Sequence, residues 1–564
     1  ITKQQPQRIL IHCHNSSLVL DADYFFSSLK MTFNSEVVLR TSPEAITQVA
    51  SYFDIVDNAV AMSDTNKKYI VDSQASYSPG APIHAGSATT FIISPTSDNT
   101  ADIYNGFLKA KMTVGFTINQ AIQDLSNVGG HTFNRLWFGF KDAMDAVEKY
   151  EILANGISIY TQNFAPEESF LTACGCNETS KRADVFSKVR HKDIFERKFD
   201  LARCGAFVEV GTGTELGEFD IPLKIDLRRF LPLSNIKYLP ALAGKIELKI
   251  TFGTQGLVYC PVGPEADLKC NPNEFAKYNL NPITTEFTPI NDVIKMWVSS
   301  TTADNVYSLV AEERTCRVRN DYEINECYSV IPNFGIDNDI YNGLVQRYRT
   351  QELIFPTQIL MFSPMSKQLQ QGNCSTTQTM TPRFVDSIFF LFPLKATHHT
   401  VFKNPLFNNF QLRCGGYGVI PTIPLRTDGT DPAFIELCQN AMNVNGEQTG
   451  FNKEVINSLC NTHDINVSNT LYSKDRTSFF IGLPTETDNT FQQGQTSNTP
   501  ITYEVICDLK RDSEGKTDGS YYGKNNQVPP IMAFLCDIII SIHIQDNGLP
   551  PVVELGGFDI TSRQ

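Results

Sequence analysis

The sequence of 564 residues lacks the short motifs that mark the common classes of enzyme active site. It contains no HExxH, no GxSxG, no GxxxxGK[ST] and no CxxC. These absences exclude the usual local signatures of zinc hydrolases, serine hydrolases, nucleotide-binding loops and zinc ribbons. We therefore predict that the protein is not an enzyme, with no catalytic residue, no cofactor-binding residue, no metal ligand and no cofactor.

Positive charge is also scarce, since 47 Lys and Arg residues stand against 61 Asp and Glu residues, for a formal net charge of −14. Neutralising nucleic-acid phosphates needs clustered Lys and Arg, so we expect no direct nucleic-acid binding. Long apolar runs are missing too. The most apolar segment, residues 531–544, contains Asp537 and His543 and falls short of the ~18 residues that cross a bilayer. We expect no transmembrane segment.

The cysteines do not form a recognisable framework. Fourteen are scattered along the chain, and only Cys174 and Cys176 lie close together in sequence. A disulfide scaffold is denser than this and belongs to smaller secreted chains. The pattern therefore predicts reduced thiols in a reducing compartment.

Strand patterns dominate what is present. The chain has 38 Phe, 20 Tyr, 34 Gly and 29 Pro, and aromatic residues between turn formers favour strands over helices. Residues 245–252 alternate apolar and polar side chains without error, which is typical of a half-buried strand. Residues 219–227 alternate as well, and Pro222 within them indicates an edge strand or a strand beginning. Isoleucine recurs at every second position from Ile538 to Ile544, a further strand.

Helix signals are few. Ser42-Pro43-Glu44 places an N-cap residue, a first-turn proline and an acid ahead of apolar residues at helical spacing. Asp431-Pro432 repeats this start before Phe434, Ile435 and Cys438. Four polar stretches rich in small residues are predicted to be loops: residues 73–88, 370–381, 485–502 and 511–527.

Four segments invite a functional interpretation, and each has a simpler structural one. Residues 211–217 (GTGTELG) have the wrong glycine spacing for a phosphate loop and lie between two strand patterns, which predicts a hairpin. His12 and His14 share one face of a strand, but no third metal ligand is indicated. The histidines at 398–399 lie in a polar connection. The acidic stretch 508–518 does not fit the calcium-loop spacing. We predict no site at any of them.

Two parts of the sequence carry the same order of strand, glycine turn and strand. One is residues 147–160 with the turn Asn155-Gly156, and the other is residues 404–421 with the glycines of residues 415–418. The two turns lie almost half a chain length apart, and one hydrophobic core cannot serve a chain this long. The repeat predicts two copies of one β domain.

We place the boundary between the two domains in the polar stretch that follows residue 298. The predicted domains are residues 1–300 and residues 301–564.

The order of several short segments resembles that of the double jelly-roll major capsid proteins. The segments are residues 150–159, 220–227, 231–233 (LPL) and 245–252 in the first half, and 381–383 (TPR), 387–392, 404–410 (NPLFNNF) and 419–421 (VIP) in the second. The length is similar to that of capsid proteins from virophages, Polinton elements and algal large DNA viruses. It is well below that of adenovirus hexons.

The resemblance implies a fold and a function. The expected fold class is all-β with short helices in loops, built as two tandem eight-stranded jelly-roll β-sandwiches. The expected function is that of a structural major capsid protein, a homotrimeric pseudo-hexagonal capsomer that tiles an icosahedral viral shell. Expected partners are the chain itself, neighbouring capsomers, and penton and minor capsid proteins. The expected location is the virion, after assembly inside the host cell.

Two other classes of function remain open from sequence. The first is a carbohydrate-binding or carbohydrate-cleaving β-sandwich protein, which would use aromatic side chains in a cleft. Only Trp137 and Trp297 are available as tryptophans, and both lie in apolar runs, which favours core packing. The second is a β-rich secreted toxin or adhesin, which the missing leader pattern and the unpaired cysteines argue against.

Overall fold

A computed structural model gives the fold of the chain. The residues that it describes are 53, 56, 70–74, 82–84, 86–95, 100–118, 135–138, 143–174, 199–200, 208–210, 214–253, 258–259, 294–301, 307–318, 323–336, 338–369, 372–381, 385–393, 402, 404–405, 407–415, 418–427, 431–442, 479–485, 500–509, 528–544 and 551–556.

Strands make up most of these residues. In the first half they are β1 (Ile70–Gln74), β2 (Ile83–His84), β3 (Ala88–Ile92), β4 (Thr100–Asp102), β5 (Phe107–Ile118), β6 (Arg135–Phe138), β7 (Val147–Ala154), β8 (Ile157–Gln162), β9 (Phe199–Asp200), β10 (Val208–Val210), β11 (Thr214–Asp226), β12 (Tyr238–Pro240), β13 (Ile246–Phe252) and β14 (Val258–Tyr259). They continue with β15 (Ile294–Thr301), β16 (Tyr307–Val318), β17 (Glu323–Phe334), β18 (Leu353–Pro364), β19 (Asn373–Met380), β20 (Val385–Leu391), β21 (Phe407–Cys414), β22 (Gly418–Leu425), β23 (Phe480–Pro484), β24 (Ile501–Leu509), β25 (Ile531–His543) and β26 (Val552–Gly556).

The helices of the described residues are short. The α-helices are α1 (Ala165–Cys174), α2 (Asn338–Thr350) and α3 (Pro432–Ala441), and the single-turn 3₁₀ helices are Ala143–Ala146, Leu227–Arg229, Leu231–Leu233 and Ala241–Ala243.

The second half forms a jelly roll. Its eight principal strands, β18 to β25 in chain order, make two four-stranded antiparallel arrays. One has the order β18-β25-β20-β23, and the other has the order β19-β24-β21-β22. Numbered by position among the eight, the orders are 1-8-3-6 and 2-7-4-5. This interleaving of two Greek keys between two sheets is the jelly-roll connection.

The first half repeats the same topology. Its principal strands are β1, β3, β5, β7, β8, β11, β13 and β17, in chain order. They pair as β1-β17-β5-β11 and as β3-β13-β7-β8, which again gives 1-8-3-6 and 2-7-4-5. Further strands extend the first of these sheets, including the β15–β16 hairpin, which joins it through β5. The predicted fold class, all-β with two tandem jelly rolls and short helices in loops, is confirmed.

The two glycine turns that suggested the repeat occupy the same place in the two topologies. Asn155-Gly156 joins the fourth and fifth strands of the first sandwich, and Gly415 to Gly418 join the fourth and fifth strands of the second. Asn155 and Gly156 have φ of 52° and 81°, the left-handed conformation that a two-residue hairpin turn requires. The order of elements therefore repeats at the level of individual connections.

The boundary expected near residue 300 falls inside a sheet. Residues 294–301 form β15, which pairs with β16, and β17 then provides the eighth strand of the first sandwich as far as Phe334. The polar residues 299–301 belong to β15. We therefore place the junction of the two sandwiches in the connection that contains α2, between Phe334 and Leu353, rather than at residues 300–301.

Some of the predicted loops contain strand residues. Residues 73–74, 83–84 and 88, within the predicted loop 73–88, belong to β1, β2 and β3. Residues 370–381, expected to form a polar loop, contain β19, the second strand of the second sandwich. Its Ser, Thr and Gln side chains are mostly half-buried or exposed, so no apolar alternation marks it. β22 runs through Pro421 to Leu425, and it is an edge strand that pairs only with β21 in the described part of the sheet. An edge strand tolerates a residue without an N–H group.

The cores follow the predicted alternation. Ile246, Leu248, Ile250 and Phe252 of β13 are buried, and the residues between them are half-buried. Ile538, Ile540 and Ile542 of β25 are buried as well. The hairpin predicted around residues 211–217 is confirmed by the pairing of β10 with β11.

Helix α3 confirms the start predicted at Asp431-Pro432. The Asp431 side chain accepts a hydrogen bond from the backbone N–H of Ala433 (3.0 Å), and Pro432 is the first helical residue. The helix predicted after residue 42 lies mostly outside the described residues. Phe53, one of the described residues of this region, packs on Tyr238 and Phe355.

Candidate functional site at the joint between the two sandwiches

Helix α1 lies between the two sandwiches. All of its residues except Thr172 are buried, so it has no solvent-facing side. Ala165 belongs to the hydrophobic core of the first sandwich, whereas Phe170, Leu171 and Cys174 belong to that of the second. The Phe170 ring lies 4.5 Å from the Phe402 ring, centroid to centroid. The helix therefore acts as a wedge that both cores enclose.

A carboxylate sits in this wedge with no exposure to solvent. Glu168 of α1 accepts hydrogen bonds from the Tyr150 hydroxyl (2.7 Å) and the Leu231 N–H (3.2 Å) at Oε1. Its Oε2 accepts a hydrogen bond from Nε2 of Gln162 (2.7 Å). The three donors come from β7, from the end of β8 and from the 3₁₀ helix Leu231–Leu233, so one side chain ties together three separate segments of the first sandwich.

The same cluster reaches the second sandwich. Nε2 of Gln162 also donates to the carbonyl oxygen of Leu360 in β18 (2.9 Å). The buried Thr357 hydroxyl, on the same strand, donates back to the carbonyls of Leu231 and Pro232 (3.2 and 3.0 Å). These bonds run in both directions across the joint and are shielded from water, where an unmade hydrogen bond is costly. They fix the first strand of the second sandwich against the first sandwich.

A third set of contacts joins Pro551, next to β26, to the first sandwich. The Asn155 amide donates to the carbonyl of Pro551 (2.7 Å), and its Oδ1 accepts from the N–H of Lys245 (3.0 Å). Gly244 has φ +76°, and a Cβ there would lie 2.7 Å from the Pro551 ring. The C-terminal segment thus packs on a turn of the first sandwich that is closed to any side chain at 244.

The electrostatics of Glu168 reflect two opposed effects. Burial raises its pKa to about 7, although the bonds from Tyr150, Gln162 and Leu231 and the charge of Arg229 act in the opposite direction. Burial also raises the pKa of Tyr150, and the nearby Glu168 carboxylate raises it further. Desolvation therefore outweighs three hydrogen bonds, and Glu168 takes up its proton near neutral pH.

The chemistry of the cluster is structural. A carboxylic acid with a pKa near neutrality beside Tyr150 and Tyr160 has the composition of an acid–base site. Glu168 and Tyr150 are both fully buried, however, so neither group faces solvent. The arrangement orders the joint and makes its stability depend on pH.

None of the segments considered as candidate sites in the sequence contributes a described residue to the Glu168 cluster. Residues 12, 14 and 398–399 lie outside the described residues, as does most of 508–518; Asp508 is in β24. Among the described residues, no cluster of three or more His, Cys, Asp or Glu side chains could hold a metal ion. Trp137 lies in β6 and Trp297 in β15, and their packing in a core stays a prediction.

Within the described part of the chain, no helix combines the length and the apolar composition needed to cross a membrane.

Sequence reasoning missed Glu168 and the helix that carries it. Helix α1 has no amphipathic period, because both of its faces are buried. The available signal was Pro166-Glu167-Glu168, a proline and two acids in a first turn, directly after the fifth strand. Nothing in the local sequence indicates that one of the two acids is buried at an interface.

The sequence matches no family model and no curated protein. Its structure is similar to the mavirus major capsid protein over 87% of this chain and 92% of that one, at 10% identity and a TM-score of 0.42. A chain of the Sputnik virophage is similar over 87% of this chain and 89% of its own, at 10% identity and a TM-score of 0.40. The Faustovirus major capsid protein is similar over 84% and 90%, at 7% identity and a TM-score of 0.39. The strand order described above establishes the double jelly roll independently of these similarities.

Proposed function

We propose that the protein is a structural major capsid protein, whose trimer forms a pseudo-hexagonal tile of an icosahedral viral shell. The observation that carries the proposal is the tandem repeat itself. Both halves have the strand order 1-8-3-6 and 2-7-4-5, which is the tandem repeat that the resemblance of the sequence to double jelly-roll capsid proteins implies. Three copies of a two-domain chain present six sandwiches, which is the number that a hexagonal outline needs.

The joint supports the same proposal. A tile must hold its two sandwiches in one orientation, because a hinge between them would let the outline change shape. Helix α1 is shared by both cores, and buried hydrogen bonds from Gln162 and Thr357 cross the joint in opposite directions. Interfaces that are large and apolar do not permit the relative domain motion that is otherwise expected. A rigid pair of sandwiches is the unit that tiling requires.

The trimer would be obligate or very stable, with an apolar interface well above the size of transient contacts. Its further partners would be neighbouring capsomers and the penton and minor capsid proteins, and its location the virion, after assembly in the host cell. We expect no direct nucleic-acid binding and no catalytic turnover. A carbohydrate-binding sandwich would instead be a monomer or dimer with an exposed aromatic cleft.

Light scattering on the purified full-length chain, over a concentration series, tests the proposal. We expect the mass of a trimer down to micromolar protein and hexagonal particles in negative-stain micrographs. The variant Leu248→Asp, which places a charge in a sandwich core, is the control and should give no such particles. A monodisperse monomer at micromolar concentration, with the wild-type strand content by circular dichroism, would overturn the proposal.

A further inference from the structure

Two cysteines face each other in the second sandwich. Cys374 of β19 and Cys507 of β24 are direct partners in the antiparallel register, although 133 residues separate them in sequence. Their sulfur atoms are 3.2 Å apart. The sequence did not predict this pairing, because the polar residues 370–381 indicated a loop.

The backbone at this pair suits a covalent link. The N–H of Leu509 donates to the carbonyl of Gly372 (3.2 Å), which marks residues 372 and 509 as a hydrogen-bonded pair of the ladder. Pair types alternate along an antiparallel ladder, so Cys374 and Cys507, two residues further on, are again a hydrogen-bonded pair with Cα atoms about 5.5 Å apart. Disulfides span Cα separations of roughly 4.4–6.8 Å. Closing the link needs side-chain rotation rather than movement of the strands.

The two thiols differ in access. Cys507 is buried against the core of the second sandwich, whereas Cys374 is half-buried at the margin of that core. The pKa of Cys507 is raised by its hydrogen bond with Cys374, by burial and by the nearby charge of Asp508. Cys374 is therefore the thiol that a reagent in solution meets first, and Cys507 is placed to react second.

The other described cysteines have different neighbours. Cys414, in the adjacent strand β21, lies opposite Tyr503. Sγ of Cys438 accepts a hydrogen bond from the N–H of Gly482 (3.3 Å), and Sγ of Cys536 lies 3.9 Å from Sδ of Met361. Cys438 also has Cys174 nearby, whereas the sulfur atoms of Cys374 and Cys507 are in direct contact.

We propose that Cys374 and Cys507 form an oxidation site, which closes to a disulfide when the protein meets a disulfide oxidant such as oxidised glutathione. The Cys374 thiolate attacks one sulfur of the oxidant, a glutathione thiolate leaves, and a mixed disulfide remains on Cys374. The Cys507 thiolate then attacks the Cys374 sulfur and displaces the second glutathione. Two protein thiols are oxidised, one disulfide of the oxidant is reduced to two thiols, and the two protons pass to the leaving thiolates. Reduced glutathione reverses both steps.

The link joins the second and seventh strands of the second sandwich across a long loop of chain. A cross-link over such a separation restricts the unfolded chain strongly. The oxidised protein should therefore melt roughly 5 °C higher than the reduced protein.

The test uses the full-length wild-type chain, incubated natively with oxidised glutathione, alkylated, and digested without reduction. We expect a linked peptide pair that joins residue 374 to residue 507, with a mass lower by two hydrogen atoms than the sum of the two peptides. We also expect a rise in melting temperature that dithiothreitol abolishes. The linked peptide needs no variant, so a folding defect cannot hide the result.

Substitutions then test whether the rise in melting temperature depends on Cys374 and Cys507. Cys374→Ser should abolish it, and so should Cys507→Ala, whereas Cys414→Ser, a matched change in the adjacent strand, should keep it. The proposal is wrong if both thiols are alkylated after native oxidation, if Cys374 stops at the mixed disulfide with glutathione, or if the link forms only in denatured protein.

Discussion

Helices α1 and α3 follow the fifth strand of their respective sandwiches, yet they meet opposite environments. Helix α3 has one buried side, formed by Phe434, Cys438 and Ala441, and an exposed side that includes Glu436. Helix α1 is buried on all sides and carries Glu168 into the joint. The helix after the fifth strand is thus a surface helix in the second sandwich, whereas in the first sandwich it connects the two sandwiches.

The two environments set different requirements for the side chains of the two helices. A helix at the surface needs one apolar face and a cap, and α3 has both. A helix enclosed by two cores must satisfy every polar group that it brings with it, and α1 does so for Glu168 with three donors from three segments. The repeat of the fold is therefore regular in strand order and irregular where the two copies meet.

The largest expected effect concerns the two cores. Leu248 and Val505 are fully buried residues on the seventh strands of the two sandwiches, and Leu248→Asp or Val505→Asp places a charge in an apolar core. We expect each variant to lose the fold of the whole described chain, because the joint couples the sandwiches. Circular dichroism and limited proteolysis measure this. A stable proteolytic fragment that retains the unmutated sandwich would show that the two fold independently.

The next effect distinguishes the two helices. Glu168→Ala removes the acceptor of three buried hydrogen bonds, and we expect the free energy of unfolding to fall by about 4 kcal/mol. Glu436→Ala removes an exposed carboxylate from α3 and should change it by less than about 0.5 kcal/mol. Urea denaturation at constant pH compares the two. Similar losses for both variants would contradict the different roles assigned to the helices.

The third prediction concerns pH. Because the pKa of Glu168 in the folded protein is about 7, above its usual value of 4.5, the folded state binds this proton more tightly than the unfolded state. The stabilisation is fully present below about pH 4.5 and is lost as the pH rises through about 7, for a total of roughly 3 kcal/mol. The difference in unfolding free energy between wild type and Glu168→Gln should change by this amount over the interval. Glu436→Gln, the control, should show a constant difference from wild type.

The smallest effect concerns the cap of α3. Asp431→Ala removes the acceptor for the N–H of Ala433, and also that for the N–H of Arg426 (3.2 Å), and should reduce stability by about 1 kcal/mol. Asp431→Asn keeps an acceptor and should lose less. Thermal unfolding monitored by circular dichroism gives both values. A loss as large as that of Glu168→Ala would mean that α3 carries more of the fold than its single buried face indicates.

The sequence by itself determined the features that depend on neighbouring residues. Alternation at residues 246–252 predicted β13 and its buried face, Asp431-Pro432 predicted the start of α3, and the two glycine turns predicted a tandem β fold. Each of these signals lies within a few residues, because side-chain direction, capping and turn conformation are local properties. The jelly-roll topology itself was expected through a family resemblance, since strand order is not written in local patterns.

Only the tertiary structure decided which distant segments pair and which side chains they bury. Residues 370–381 are polar, and they form a strand because β24 supplies a partner for their backbone. The junction of the sandwiches lies after residue 334 rather than at the predicted residues 300–301, because β17 completes the first sheet through hydrogen bonds to β5. Glu168 is buried because two hydrophobic cores enclose α1. Cys374 and Cys507 lie opposite each other because of the register between β19 and β24. Pairing and burial are relations between segments that lie up to hundreds of residues apart, and a local pattern carries no record of them.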